Sequence, residues 1–144
     1  MSEPRAISDV PFSITQELRV RAPIIGVTLM VIAFGLLARY GLSGWASKYV
    51  GLGLWATMIY ALVVLARPSI SPLIGAAVAL AFCWMIEFMQ LTPGPAWLSS
   101  QPILLRLIFG IGFSAWDLPT YAAGVGLGAG VHVWGKRASK GEAD

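Results

Sequence analysis

Charged side chains are scarce in this sequence. Asp, Glu, Lys and Arg make up 12% of its 144 residues, where an average soluble domain carries about 25%. Hydrophobic residues make up 57%. The composition therefore argues against an ordinary soluble domain and indicates an integral membrane protein. The ten Lys and Arg residues are spread along the chain, so the net charge of +3 is interpreted as a set of topology and lipid-contact signals, and no nucleic-acid partner is expected.

Cysteine and histidine are almost absent, with one of each in the chain. The lone cysteine, Cys83, cannot form a disulfide within the chain, and its apolar surroundings indicate a small buried side chain. His132, near Trp134 and Lys136, is interpreted as an anchor at the membrane interface, in preference to a haem or metal ligand. Since no nucleophile or metal set can be assembled, we expect no enzyme activity, no metal and no cofactor.

The sequence contains several long uncharged stretches. A spanning helix needs about 20 largely apolar residues, with a range of about 17–25. Four uncharged stretches come close to that length, and they cover residues 22–38, 49–66, 68–86 and 118–135. The sequence therefore predicts an all-α, polytopic bundle of four transmembrane helices within residues 22–135.

A fifth apolar piece, residues 103–116, is shorter. It contains Arg106 and follows the helix-breaking run from Leu91 to Trp97. The uncharged part between Arg106 and Asp117 is too short to cross a bilayer. We expect an interfacial or re-entrant helix here, between the third and fourth spans.

The positive charges predict the orientation. With four spans, the side that holds both tails carries seven Lys and Arg residues, and the other side carries Arg39, Lys48 and Arg106. This asymmetry predicts that both termini lie in the cytoplasm. Residues 1–21 would form a cytoplasmic tail with a short amphipathic helix beginning near Ser13, and residues 136–144 a second cytoplasmic tail.

Carboxylates are the rarest charged groups in the middle of the chain. Glu87 and Asp117 are the only two between Glu17 and Glu142. An ionisable group at membrane depth is costly unless it is paired or wetted, and it is a functional-site hypothesis by default. In the predicted topology both acids lie near the outer interface. The polar cluster predicted at that interface comprises Arg39, Glu87, Gln90, Arg106, Asp117 and Tyr121.

The same residues also have purely structural interpretations. Glu87 would pair with Arg39 and fix the packing of two helices. Asp117, with Pro119 two residues later, would cap the fourth helix. Gln90 would only hold two helices together. The sequence leaves these alternatives open.

Glycine is concentrated in the last predicted span. Gly124 with Gly128, and Gly126 with Gly130, each form a G-x-x-x-G pair. Small residues at this spacing let helix backbones approach closely in lipid. We therefore expect these four glycines to pack against another helix, either within the bundle or in a partner protein.

Several of these motifs recur together in a known family. The motifs are Glu87-x-x-Gln90, a turn at Pro93-Gly94, and the spacing of Asp117, Gly124 and Gly128. In this order they resemble the VanZ-like family of small bacterial membrane proteins. The chain is more similar still to a related four-helix family of unknown function. That similarity rests on Leu54-Trp55-Ala56 before Tyr60, and on Gly110 and Gly112-Phe113 before Asp117.

The resemblance implies a multi-pass protein of the bacterial inner membrane that is associated with the cell envelope. The leading hypothesis is a non-enzymatic VanZ-like protein whose outer polar cluster binds a lipid headgroup or a lipid-linked envelope intermediate, with membrane lipids as its partners. Three polar positions of the family are replaced here, at Leu52, Pro95 and Tyr121. These losses favour the alternative of a structural accessory or assembly subunit of a larger respiratory or photosynthetic complex, with other membrane subunits as partners.

Overall fold

Four α-helices make up most of the described chain. The structure is a computed structural model that describes residues 14–91 and 113–141. The helices are α1 (Ile14–Gly41), α2 (Gly44–Ala66), α3 (Pro72–Met89) and α4 (Asp117–Gly141). No strand occurs in these two ranges. The predicted all-α class is therefore confirmed for the described residues.

Three of the helices have the length and composition of membrane spans. The spanning stretches are Val20–Ala38, Gly44–Ala66 and Pro72–Met89, which suggests a membrane protein, as the composition predicted. Helix α4 has 25 residues, or about 38 Å at 1.5 Å per residue. Its many glycines and His132 make it less apolar than the other three helices, so it is not among the stretches of spanning composition.

Helix α1 is longer than the span predicted inside it. It runs without interruption from Ile14 to Gly41 and contains Pro23. The sequence predicted a separate short helix before residue 22, whereas the helical part of the tail continues directly into the span. Pro23 removes one helical hydrogen bond. The Glu, Leu, Arg and Ala residues that precede it are strong helix formers, and they offset this loss.

Short connections set the arrangement of the first three helices. Two residues join α1 to α2, and α2 begins at Gly44, whose φ of 64° is a left-handed conformation that suits glycine. Residues 67–71 join α2 to α3. The Ser71 hydroxyl accepts a hydrogen bond from the Ile74 backbone N–H at 3.3 Å, and Pro72 occupies the first turn. Connections of this length place successive helices antiparallel.

Helix α2 packs against all three other helices, and α4 also packs against α3. Contacts between the starts of α2 and α4, and between the end of α3 and the start of α4, show that α4 is parallel to α2 and antiparallel to α3. The buried core consists of Ala56, Tyr60, Val64, Ala79, Cys83, Tyr121 and Val125.

The bundle therefore has two ends of different chemistry. The acidic end, where α2 and α4 begin and α3 finishes, holds Glu87 and Asp117. The basic end, where α1 and α3 begin and α2 and α4 finish, is defined by the cations Arg21, Arg67, Lys136 and Arg137.

The predicted helix over residues 103–116 falls outside the described residues except for its last four. Phe113 and Ser114 have no regular structure, and Ala115 and Trp116 form a turn. This corrects the end of that prediction, since these four residues lead into α4 through a hydrogen bond from the Asp117 N–H to the Ser114 carbonyl, at 2.9 Å.

Candidate functional site

Glu87 is fully buried in the last turn of α3. Its Oε1 accepts a hydrogen bond from the Ser114 backbone N–H at 2.7 Å. Its Oε2 accepts one from the Tyr121 hydroxyl at 3.1 Å. A buried carboxylate is stable only with such partners, because burial removes its hydration. Glu87 therefore links the end of α3 to Ser114, which precedes α4, and to Tyr121 in the second turn of α4.

Aromatic side chains surround this carboxylate. Tyr121 is buried, and its ring centroid lies 5.7 Å from that of Trp55 on α2. Trp84, one turn before Glu87 on α3, donates its indole N–H to the Leu118 carbonyl at 3.3 Å. Three helices therefore meet around Glu87, and the carboxylate lies in a low-polarity environment in which its two hydrogen bonds are strengthened.

Asp117 begins α4, and its side chain is 6% exposed. Its Oδ1 lies 2.9 Å from the ammonium of Lys48, at the start of the second turn of α2, and the Lys48 side chain is 47% exposed. The contact is an ion pair and not a well-directed hydrogen bond. The ammonium also lies 5.3 Å from the centre of the Tyr49 ring. A carboxylate at the first turn is favoured by the helix dipole, so Asp117 stabilises α4 and binds a cation.

The structure places four of the six residues of the predicted polar cluster at the acidic end. Glu87, Asp117 and Tyr121 lie at the acidic end, as described above. Gln90 follows α3 there, and its backbone N–H donates to the Glu87 carbonyl at 3.1 Å. The structure describes the backbone of Arg39, which lies near the end of α1, but not its side chain. Arg106 lies outside the described residues.

Sequence reasoning missed two members of this site. Lys48 was counted only as a topology signal, yet it is the cation that pairs with Asp117. The predicted topology already put Lys48 on the same side as Asp117, but the pairing depends on which faces of α2 and α4 meet, for which the sequence carries no signal. Ser114 contributes its backbone N–H, and a backbone donor has no signature in side-chain patterns.

A second polar pair joins α2 to α4 towards the basic end. The Tyr60 hydroxyl lies 2.7 Å from His132 Nδ1, and the two rings meet edge to face at 6.0 Å. The histidine expected to anchor the interface is thus bound to the tyrosine of a neighbouring helix. Four residues later, the Lys136 ammonium donates to the Ile70 carbonyl at 3.2 Å. These contacts fix the second half of α4 on the bundle.

The four glycines of the two G-x-x-x-G pairs in α4 face two directions. A Cβ atom on Gly124 would collide with the carbonyl of Gly53, and one on Gly128 would come within 2.8 Å of the Tyr60 ring. These two glycines therefore pack on α2. Gly126 and Gly130 are exposed and have open space around them.

The chemistry of the site is that of charge pairing and hydrogen bonding. Within residues 14–91 and 113–141, no three His, Cys, Asp or Glu side chains converge as metal ligands would. The site has the half-exposed side chain of Lys48, which is paired with the buried carboxylate of Asp117, and the second buried carboxylate of Glu87.

Residues 41–125 match a family described as a protein of unknown function, DUF2809. The matched range contains α2, α3 and the first turns of α4, and therefore Lys48, Glu87, Asp117 and Tyr121. An uncharacterised family agrees with the predicted membership of a family of unknown function, and the match gives no link to the VanZ-like family. No solved structure matches the chain.

Proposed function

Since the chain belongs to the DUF2809 family of proteins of unknown function, we propose a function from its geometry: a non-enzymatic membrane protein that binds an anionic lipid headgroup, free or on a lipid-linked envelope intermediate, at its acidic end. The observation that carries the proposal is the Lys48–Asp117 pair. An ammonium has three donors. Asp117 holds one side of it, and the exposed half of Lys48 is open to phosphate oxygens.

The surroundings of Lys48 suit a membrane interface. Trp45 lies one turn before it on α2, and Trp116 directly precedes its partner Asp117; both indoles are largely exposed. Exposed tryptophans are typical of the headgroup region of a bilayer. An unpaired ammonium at that depth attracts anionic lipid with about 1 kcal/mol, and the charge of Asp117 lowers this attraction for Lys48.

Glu87 has a positioning role in this proposal. Both of its oxygens are already hydrogen-bonded, and the side chain is fully buried. It therefore joins α3 to the start of α4 and keeps Asp117 against Lys48. Relative to the hypothesis from sequence, Lys48 replaces Arg39 and Arg106 as the cation that meets phosphate.

The proposal includes the finer topology. We propose that α4 is a fourth span, that both termini are cytoplasmic, and that the protein resides in a bacterial inner membrane as a VanZ-like protein with a re-entrant helix before α4. Two observations support the fourth span: α4 is parallel to α2 over much of its length, from the Lys48–Asp117 pair to the Tyr60–His132 pair, and it is long enough to cross about 30 Å of hydrocarbon.

The experiment is photo-crosslinking with phosphatidylglycerol that carries a photoactivatable headgroup, followed by mass spectrometry of labelled peptides. The unchanged protein and Lys48→Arg should be labelled at the first turns of α2 and α4. Lys48→Gln, which removes the charge and shortens the side chain by one bond, should lose up to about fivefold of that label, the effect expected for one cation near the surface. Equal labelling of Lys48→Gln and Lys48→Arg at these turns would refute the proposal.

A second function, that of an accessory or assembly subunit, is favoured by a different observation. Ala122, Gly126 and Gly130 lie on an exposed side of α4, where an added Cβ on either glycine meets nothing. A partner helix could approach closely there. Gentle-detergent extraction on native gels, with mass spectrometry, separates the two functions. A large particle with stoichiometric partner proteins supports the subunit, and a small particle carrying only lipid supports headgroup binding.

A further inference from the structure

The ammonium of Lys48 contacts two groups of its own chain. Asp117 Oδ1 lies 2.9 Å from it, and the centre of the Tyr49 ring lies 5.3 Å from it. A carboxylate attracts an organic cation by its charge, and an aromatic ring attracts one by the negative potential of its face. Lys48 therefore makes the contacts that the cation of a bound ligand would otherwise make.

A second aromatic side chain supports the ring of Tyr49. Trp45 lies about one helical turn earlier on α2, and the two ring centroids are 6.3 Å apart with their planes tilted by 54°. Aromatic pairs are favourable at such a distance and tilt. Tyr49 is partly exposed and Trp45 is largely exposed, so a headgroup at the surface of the protein can reach this pair of rings.

Asp117 needs a cation beside it. Its side chain is 6% exposed, and among the residues that the structure describes its Oδ1 accepts no well-directed hydrogen bond. Removing the partner of a buried charge is strongly unfavourable. In the folded protein Lys48 supplies the positive charge, and without Lys48 the carboxylate and the Tyr49 ring would be free to attract another cation.

We propose that Lys48 occupies a cation-binding site formed by Tyr49 and Asp117, and thereby restricts the headgroup site to lipids that carry a phosphate and no cation. This inference rests on the function proposed above and names its class of ligand. The phosphate is attracted by the exposed half of Lys48. The quaternary ammonium of phosphatidylcholine finds the carboxylate and the ring already in contact with Lys48, and the like charge of Lys48 repels it.

The test is photo-crosslinking of the full-length protein with two lipids that carry the same photoactivatable group at the glycerol end of an acyl chain. One is a phosphatidylglycerol and the other a phosphatidylcholine. The label is counted on the first turns of α2 and α4, relative to the label on residues 72–75 at the basic end. Lys48→Ala removes the ammonium and opens its place. Lys48→Gln is the matched control, because it removes the charge and still fills much of that place.

We expect the unchanged protein to be labelled more by phosphatidylglycerol than by phosphatidylcholine. Labelling by phosphatidylcholine should be about two- to fivefold higher in Lys48→Ala than in Lys48→Gln, the effect of one exposed contact between a cation and a ring. Adding Tyr49→Leu to Lys48→Ala should remove this gain. Adding Tyr49→Phe, which keeps the ring, should preserve it.

Three results would overturn the inference. The first is equal labelling of the unchanged protein by the two lipids, a comparison that requires no variant to fold. The second is equal labelling of Lys48→Ala and Lys48→Gln by phosphatidylcholine, and the third is a gain that persists with Tyr49→Leu. The headgroup site itself is tested separately by Lys48→Arg and Lys48→Gln with phosphatidylglycerol, so a failure of this inference is distinguishable from a failure of the proposed function.

Discussion

The Tyr121 hydroxyl donates a hydrogen bond to Oε2 of Glu87 at 3.1 Å, and both side chains are buried. The residues lie in the last turn of α3 and the second turn of α4, on either side of the segment that the structure leaves undescribed. This bond and the one from the Ser114 N–H to Oε1 tie the start of α4 and the residues just before it to the end of α3. The start of α4, and with it Asp117, is held in place by a carboxylate that makes no contact with the proposed ligand.

Tyr121→Phe should therefore destabilise the protein. The substitution keeps the ring that packs on Trp55 and leaves Oε2 of Glu87 without its donor. A lost hydrogen bond to a buried charged group costs about 1.5–3 kcal/mol. The measurement is the free energy of unfolding in detergent. Tyr40→Phe, at an exposed tyrosine, is the control and should be neutral; equal effects at both positions would argue against a structural role for the Tyr121 hydroxyl.

The glycines of α4 give a matched pair of substitutions. Gly124→Ala places a methyl group against the backbone of Gly53, which cannot rotate away, so α4 must shift from α2 and stability should fall by about 1–3 kcal/mol. Gly126→Ala places the same methyl group in open space and should gain up to about 1 kcal/mol of helix propensity. Thermal unfolding in detergent checks both. If Gly126→Ala destabilises the protein in native membranes but not in detergent, a partner helix packs on that face.

The Lys48–Asp117 pair should show measurable coupling. Lys48→Gln leaves Asp117 buried beside a neutral amide, and Asp117→Asn removes the charge that the ammonium neutralises. Because Lys48 is 47% exposed, solvent screens the pair, and the coupling free energy should lie near 1 kcal/mol, the upper end for exposed ion pairs. A double-mutant cycle on unfolding free energies measures it. Additive single effects would show that the contact contributes no stability.

The sequence predicted the acids better than their partners. Glu87 and Asp117 were recognised because carboxylates are rare in an apolar chain and costly in a membrane. Tyr121 could be placed with them because one helical turn separates it from Asp117. Lys48 could not, because its pairing depends on which faces of α2 and α4 meet, and that is a property of the tertiary fold.

The Tyr60–His132 pair was also beyond sequence reasoning. Gly128 was expected to pack on some helix, but only the structure shows that the Tyr60 ring lies against it. A histidine near a predicted helix end is usually an interface residue, so nothing in the pattern pointed to a hydrogen bond with a tyrosine 72 positions away. Local periodicity predicts helices; it does not predict which faces meet.

The proposed membrane crossing by α4 can be tested with new cysteines, since the native thiol, Cys83, is buried. Ala115, just before α4, and Ala138, in its last turn, are both exposed. At about 1.5 Å per residue, the stretch from Ala115 to Ala138 spans about 35 Å, enough to cross about 30 Å of hydrocarbon. An impermeant maleimide applied to intact spheroplasts should label Ala115→Cys, and should label Ala138→Cys only after lysis. Labelling of both from one side would show that α4 lies on the membrane surface, and the unsubstituted protein measures the background from Cys83.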